Sequence, residues 1–238
     1  MKNTGSRSFR VMLMTFDLTP LWISLKTTLV TTVIVFFLGI GAARWVMNLP
    51  QRVRGIVDAL FTFPMIFPPT VLGFFLLLLL GNNSPLGQLL KGMGMNLIFS
   101  WSATVVSGTV VAFPLMYRTA RGAFEQVDRS VIDVARTLGL SKRTIFMKIL
   151  LPLSLPGLMA GTVLSFSRTL GEFGATLMIA GNIPGKTQTL PIAIFFAVEG
   201  GDMRTALAWV GLIMLLSLLC MVLQGLWSFR SKATVSGR

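Results

Sequence analysis

Histidine is missing from this sequence, cysteine occurs once, and charged residues of both signs are scarce. None of the 238 residues is histidine, and only 8 are Asp or Glu. Metal sites and general acid–base catalysis rely mostly on histidine and on clustered carboxylates. We therefore predict no catalytic residues, no cofactor and no metal site. The single cysteine, Cys220, excludes an internal disulfide and lies in an apolar run, where we expect a small buried side chain.

The low charge goes together with long apolar runs. Charged residues make up 12% of the chain and apolar residues 53%, whereas soluble domains have about 25% charged residues. The charges fall between uncharged stretches of about 20 residues, the length that a helix needs to cross a bilayer. A bilayer offers no water to the backbone, so such runs must be helices. The sequence predicts an all-α, polytopic transmembrane bundle in one domain, 1–238, with about five spans at 21–46, 59–80, 97–117, 152–170 and 205–229.

The net charge of +13 raises the question of a nucleic-acid partner, since basic patches neutralise phosphates. Most Lys and Arg residues instead fall in three stretches, 44–58, 118–148 and 230–238, on one side of the predicted spans. This asymmetry follows the positive-inside rule for cytoplasmic loops. We predict a membrane protein that contacts lipid, binds no nucleic acid and has a cytoplasmic C-terminus. The basic N-terminal tail departs from the rule, and is translocated, interfacial or part of a short extra span.

Prolines interrupt the second predicted span. Pro64, Pro68 and Pro69 remove three backbone donors within six residues, so we expect a broken or kinked helix. Irregular backbone at membrane depth requires cover by protein or a water-filled cavity. Pro68, Pro69 and Thr70 are therefore candidates for lining a transport pathway, and a simple proline kink is the alternative. The segment 171–204 has two short apolar runs, which predict a re-entrant or surface-lying helical pair on the outer side.

Arg168 and Glu172 stand four residues apart near the outer end of the fourth predicted span. Ionisable residues inside a membrane usually pair with one another and face the interior or a cavity. We interpret the pair as either a structural clamp that closes an outer gate or a direct ligand of a transported oxyanion. The nearby run AGNIPGKT (180–187) is similar to a phosphate-binding loop. Pro184 removes one of the donors and no strand is predicted before it, so we expect no nucleotide there.

The longest polar segment, 118–150, separates the third and fourth predicted spans. Its apolar residues recur at helical spacing, which predicts two short amphipathic helices broken at Gly139, with Ser141 as the N-cap of the second. The segment contains Asp133-Val134-Ala135, then three residues, Gly139, nine residues, Ile149, one residue and Leu151-Pro152. This spacing resembles the cytoplasmic coupling motif of ABC importer permeases, with Asp133 and Val134 in place of the family's Glu and Ala.

Two further stretches sharpen the resemblance: PPTVLGFFLLLLLG (68–81) and SRTLGEFGATLMIAGNIPGKTQTLP (167–191). They resemble the permeases of molybdate ABC transporters, and the likeness extends over about 25–227. It implies a type I importer fold in the cytoplasmic (inner) membrane of a prokaryote. It also implies a homodimer docked on two ATP-binding subunits that hydrolyse the ATP, and an extracytoplasmic oxyanion-binding protein. Sulfate and thiosulfate permeases, which are generally longer with a sixth span, are the alternative. A secondary transporter is disfavoured because the sequence shows no inverted repeat.

The resemblance also implies which residues couple the permease to the ATPase. These residues are Asp133, Val134, Ala135, Leu138, Gly139, Ile149, Leu151 and Pro152. We expect a helix that ends at Gly139 to present Val134, Ala135 and Leu138 to the cytosolic subunit. The small residues at 135 and 139 would allow close approach. Pro152 is expected at the start of the fourth span, so that motion of the helix passes into the membrane.

Overall fold

The computed structural model describes residues 17–236, with side chains as far as residue 222. The basic N-terminal tail, 1–16, lies outside the described residues. The predicted all-α fold is confirmed, since every regular element in the described part is helical. The helices are α1 (Thr19–Met47), α2 (Gln51–Thr62), α3 (Pro69–Leu80), α4 (Pro85–Gly92), α5 (Trp101–Glu125), α6 (Arg129–Thr137), α7 (Lys142–Ile145), α8 (Leu151–Leu170), α9 (Gly174–Ala180), α10 (Leu190–Glu199) and α11 (Met203–Ser236). A 3₁₀ turn, Phe63–Met65, follows α2, and a π turn, Phe146–Leu150, joins α7 to α8.

Helix α5 occupies the centre of the bundle. It packs against α1 and α8, which also touch each other. The short helix α9 packs against α3 and α5, while α10 packs against α1 and α11. Glycine permits close approach of three helices here: a Cβ on Gly108 of α5 would lie 2.9 Å from Cγ2 of Thr169 in α8 and 3.2 Å from Cγ2 of Thr31 in α1. Small residues at such crossing points are typical of helices packed inside membranes.

The outer helices expose apolar side chains. Leu29, Val33 and Phe37 repeat every four residues along α1, and each is more than half exposed. Helix α11 exposes a similar series that includes Leu207 and Leu218. An apolar surface of this extent is too large for a soluble monomer and is normal for helices that contact lipid.

Three helical stretches of the described part are long and apolar enough to cross a membrane: Thr19–Met47, Lys142–Leu170 and Met203–Val222. A fourth is obtained if α2 and α3 count together, although they meet at a bend of 107°. Helix α5 covers most of the predicted span 97–117 but is not among these stretches. Its sequence includes Ser, Thr and Gly residues, which lower its hydropathy.

Two helices extend beyond the predicted spans. The helix α5 continues to Glu125, into the segment predicted as a polar connection. The helix predicted to begin near Pro152 begins at Lys142 and passes through the π turn. Pro152 therefore lies inside a long helix, directly after the π turn. The physical reason is that a π turn tolerates a proline. In a regular helix, the ring of a proline would collide with the carbonyl four residues earlier, and its missing N–H would leave that carbonyl without a partner.

The break predicted in the second span is confirmed. Helix α2 ends at Thr62, and α3 begins at Pro69 after the 3₁₀ turn and three further residues. Pro69 occupies the first position of α3, where a missing N–H costs no helical hydrogen bond. The break therefore separates two regular helices instead of distorting a single one.

The segment 171–204 forms the predicted pair of short helices, α9 and α10. Helix α9 does not lie on the surface, because Ala175, Ile179 and Ala180 are completely buried. Leu190 and Ile192 of α10 are completely buried as well. The burial favours the re-entrant alternative over the surface-lying one.

Candidate functional site

Helix α6 carries the first part of the predicted coupling motif, and after that prediction we call it the coupling helix. A local motif stands at each of its ends. Asp128 is its N-cap, and Oδ1 of Asp128 accepts the N–H of Ser130 at 2.9 Å. This hydrogen bond holds the pKa of the Asp128 carboxyl below its ordinary value. After the helix, Gly139 has a φ of +75°, and the N–H of Leu140 donates to the carbonyl of Ala135 at 3.1 Å. This closure is a Schellman motif, which favours glycine at the left-handed position.

The coupling helix presents an apolar face. Val134 and Leu138 are 60% and 74% exposed, and Val131 is exposed one turn earlier. Asp133 is also exposed and forms an ion pair within the helix. Ala135, which was predicted to face the partner, is instead buried. The physical reason for this correction is that the coupling helix packs against the rest of the chain, with α7 among its contacts, so that a small side chain on the packed face is covered.

Gly139 is exposed at the end of the coupling helix. A Cβ there would have no described atom within 4 Å. Crowding within the chain therefore does not require glycine, whereas the positive φ does. The side of the turn that a larger residue would occupy is open to a partner surface.

The remaining coupling residues belong to the long helix Lys142–Leu170. Ser141 caps this helix as predicted, since its Oγ accepts the N–H of Thr144 at 3.2 Å. Ile149 lies in the π turn, and Leu151 and Pro152 follow it. The structure thus divides the predicted set between the coupling helix and the beginning of a helix that runs on toward Arg168.

The break in the second span contacts the start of α9. A Cβ on Gly174 would lie 3.0 Å from both Cγ2 and N of Thr70, and 3.2 Å from Cβ of Pro69. One turn further, a Cβ on Gly73 would lie 2.8 Å from Cα of Ala175. Pro68 and Thr70 are nevertheless partly open to the surroundings. The structure therefore places the break residues at a glycine-lined contact between two short helices.

Arg168 and Glu172 form an ion pair at this contact. The long helix ends at Leu170, and Nη1 of Arg168 donates to Oε2 of Glu172 at 2.7 Å. Oε1 of Glu172 accepts the N–H of Ala175 at 2.9 Å, so the same carboxylate caps α9. The Glu172 side chain is 2% exposed, and that of Arg168 is 36% exposed. One buried carboxylate thus ties α8 to α9.

Residues 35–232 of this chain match a protein family that is described as "binding-protein-dependent transport system inner membrane component". The chain belongs to this family. The permease is 41% identical to the transport permease YvgM of Bacillus subtilis, over 84% of this chain and 89% of the relative. It is 35% identical to the molybdenum transport system permease protein ModB of Azotobacter vinelandii, over 90% of this chain and 94% of that protein.

Among solved structures, the permease resembles inward-facing conformations of the MetNI methionine ABC transporter. The TM-score is 0.70 at 19% identity, with 89% of this chain and 94% of that chain covered. This likeness concerns the fold alone. It confirms the predicted fold of a type I ABC importer permease.

The sequence analysis missed an ion network in the permease. Arg121 contacts Asp58 and Glu125, and Glu125 also contacts Arg54. The hydroxyl of Tyr117 donates to Asp58. The network joins α2 to the end of α5, where the basic loops lie, and we call this end of the bundle the basic end. The available signal was the four-residue spacing of Arg121 and Glu125, which is typical of a helical ion pair, but nothing in the sequence connects them to Asp58.

A second missed feature is a hydroxyl-lined core at the opposite end of the permease. Oγ1 of Thr27 lies 2.9 Å from Oγ1 of Thr104 and accepts the indole N–H of Trp101 at 3.0 Å. Oγ of Ser107 lies 2.8 Å from Oγ1 of Thr176. These bonds link α1, α5 and α9. Four threonines within six residues of the first predicted span, 27–32, were the available signal.

The loop 181–189 follows helix α9 and not a strand. Its geometry is fixed from within, because the hydroxyl of Thr187 donates to the carbonyl of Gly181 at 3.2 Å and accepts the N–H of Ile183 at 3.1 Å. The side chain of Thr187 therefore holds the loop in shape through hydrogen bonds to two residues of the same loop.

Proposed function

We propose that this permease forms the translocation path of an ATP-driven importer of molybdate. The observation that carries this proposal is the similarity to ModB, a molybdenum transport permease, over nearly the whole length of both chains. Tungstate is expected to be accepted as well, because the two dianions match in charge and nearly in size. The whole chain, 1–238, would act as one transmembrane permease domain.

The proposed importer contains two copies of this permease, two ATP-binding subunits and an extracytoplasmic binding protein for the oxyanion. The exposed apolar face of Val131, Val134 and Leu138 supports the ATPase contact, since isolated apolar stripes on a polar segment mark interaction sites. ATP hydrolysis would belong to the ATP-binding subunits. The translocation path would run between the two permeases.

We further propose that the basic end of the bundle faces the cytoplasm, together with the C-terminus. Helix α5 would be the fifth span, because its 25 residues extend over about 37 Å and it packs between two helices that are apolar enough to span. A reporter enzyme fused after Arg238 tests this arrangement. Activity of the fusion only outside the cytoplasm would contradict it.

The proposed coupling mechanism begins at the ATP-binding subunits. Their closure would draw the two coupling helices together, and the helix Lys142–Leu170 would carry this motion toward Arg168. We propose that the pair Arg168 and Glu172 is a clamp of the outer gate. Both oxygens of Glu172 are engaged by groups of the chain itself, which favours a structural role for the carboxylate. Pro68, Pro69 and Thr70 would line the path beside this clamp.

Uptake by cells that lack their own copy of the permease gene tests the substrate. Cells supplied with this permease and its partner subunits should accumulate radioactive molybdate. Excess unlabelled tungstate should suppress the uptake, and excess sulfate should leave it largely intact. Suppression by sulfate as strong as that by tungstate would assign the permease to the sulfate class instead.

A further inference from the structure

A small internal cavity lies beneath the ion pair of Arg168 and Glu172. It offers about 10 Å³ to the centre of a water molecule, and about this much space holds one water. Of the ten residues that line it, seven carry a hydroxyl and one, Glu172, carries a carboxylate. The lining comes from α1, α5, α8, α9 and the residue before α10, so the cavity lies where these elements meet.

One hydroxyl on the wall of this cavity has no protein partner. Thr189 is 6% exposed, and its Oγ1 has no hydrogen-bonding atom of the described residues within reach. A buried hydroxyl without a partner is costly, and native structures usually satisfy it with protein or with ordered water. The backbone N–H groups on both sides of Thr189 are occupied. The N–H of Gln188 donates to the carbonyl of Ile183 at 3.2 Å, and the N–H of Leu190 donates to Oγ of Ser24 at 2.7 Å.

Several other polar groups of the lining are already bonded but retain acceptor capacity. Thr169 donates to the carbonyl of Ser165 at 2.9 Å, and Thr176 shares its bond with Ser107. A hydroxyl oxygen has two lone pairs, so each of these groups can accept a further hydrogen bond. The cavity therefore provides the two to four polar neighbours that a buried water requires.

We propose that this cavity binds one water molecule, which is the hydrogen-bond partner of Thr189. Sodium would be the competing occupant of an oxygen-lined site. The carboxylate of Glu172 is neutralised by Arg168, and its two oxygens already accept hydrogen bonds. A bare cation would therefore enter a site without net negative charge, at a large desolvation cost, whereas water enters without that cost.

The bound water gives the start of α10 a second link to the bundle, beside the bond between Leu190 and Ser24. This link is distinct from the clamp, because it attaches α10 and not α9. The proposal does not depend on which oxyanion is transported.

Thermal unfolding of the full-length permease in lipid nanodiscs tests the proposal with two matched variants. Thr189→Val removes the hydroxyl that binds the water, and should lower Tm by about 2 to 4 °C. Ser165→Ala is the control, because Ser165 is equally buried and unpartnered but does not line the cavity. Its removal should leave Tm unchanged or raise it, since only an unsatisfied hydroxyl is lost.

An unchanged or raised Tm for Thr189→Val would overturn the proposal, as would a Tm that rises when choline is replaced by sodium. If Thr189→Val does not fold, a density map of the unaltered permease decides the question. Density within hydrogen-bond distance of Oγ1 of Thr189 is expected at a resolution that shows other internal waters. The absence of this density from such a map would also overturn the proposal.

Discussion

The two ends of the bundle use different chemistry to hold neighbouring helices together. At the basic end, four ionised groups and Tyr117 join α2 to α5, and their side chains keep partial contact with the surroundings. At the opposite end, neutral hydroxyls, glycines and one ion pair join α1, α3, α5, α8 and α9. Ions that remain solvated can exchange partners at low cost, whereas buried groups must be matched locally. The helix contacts at the basic end are therefore suited to rearrangement. Those at the opposite end are suited to a tightly packed closure, which we call the seal.

The largest expected effect is at the basic end, where Gly139→Trp should abolish co-purification of the ATP-binding subunits. The variant should still insert in the membrane, because the turn is exposed and distant from the buried core. Gly139→Ala is the matched control, since alanine brings the same Cβ strain at the positive φ but no bulky side chain; it should retain the subunits. Normal yields of the ATP-binding subunits with Gly139→Trp would refute the contact.

The clamp at the opposite end provides the next prediction. Glu172→Gln keeps an oxygen for the N–H of Ala175 but leaves Arg168 without its counter-charge, at a cost of about 1 to 3 kcal/mol in the closed state, given the partial exposure of Arg168. The equilibrium should move toward the outward-open form. Basal ATP hydrolysis of the reconstituted importer without binding protein should rise several-fold.

Arg168→Gln is the companion variant for the clamp, since it removes the other charge. A clamp predicts the same rise in basal hydrolysis for both variants. Direct binding of the oxyanion by Arg168 predicts a loss of transport affinity for Arg168→Gln and an unchanged basal rate for Glu172→Gln. The second pattern would replace the gate with a binding site.

The close contact between α3 and α9 can be tested with glycine substitutions. Gly73→Ala places a Cβ 2.8 Å from Cα of Ala175, a backbone atom that cannot move aside alone. The expected destabilisation is about 1 to 3 kcal/mol. Gly41→Ala in α1 is the control, because a Cβ there meets no described atom within 4 Å, and it should stabilise the helix by about 0.5 to 1 kcal/mol. Equal Tm values for the two variants would show that the seal is loose.

The smallest effects are expected among the ion pairs of the basic end. Arg121→Ala removes the centre of the network and should cost about 1 to 2 kcal/mol, because Arg121 and Asp58 are only about a quarter exposed. Arg136→Ala breaks a pair whose side chains are 66% and 65% exposed, and should change stability by less than about 0.5 kcal/mol. Thermal unfolding compares the two. If Arg136→Ala lowered stability as much as Arg121→Ala does, the network around Arg121 would be no more stabilising than an isolated exposed ion pair.

Local signals in the sequence predicted the local structure well. Pro68 and Pro69 predicted the break, and Ser141 predicted a helix start, because each acts on the backbone within one turn. Gly139 predicted a helix end for the same reason. The type I importer fold was predicted from the resemblance to ABC permeases, and the spacing of the coupling motif carried that resemblance.

Contacts between distant segments could not be predicted in this way. The pattern of α6 did not show that Ala135 would be buried, because burial depends on contacts with segments outside the helix. The network of Arg121 joins residues 63 positions apart in sequence, and no periodicity encodes such a partner. The cavity beside Thr189 depends on five elements at once. The sequence also did not show that the helix capped by Ser141 and the fourth span form one continuous helix, because this depends on the π turn that joins them before Pro152.

The unbroken course of the helix Lys142–Leu170 gives the permease a lever arm. Its 29 residues extend over about 43 Å, and a tilt of only about 5° about one end displaces the other by about 4 Å. That displacement exceeds the distance over which a hydrogen bond survives. In the proposed mechanism, a modest swing at Ser141 would thus be enough to move Thr169 away from Gly108 of α5, so that a small movement at one end of the helix would open a contact at the other end.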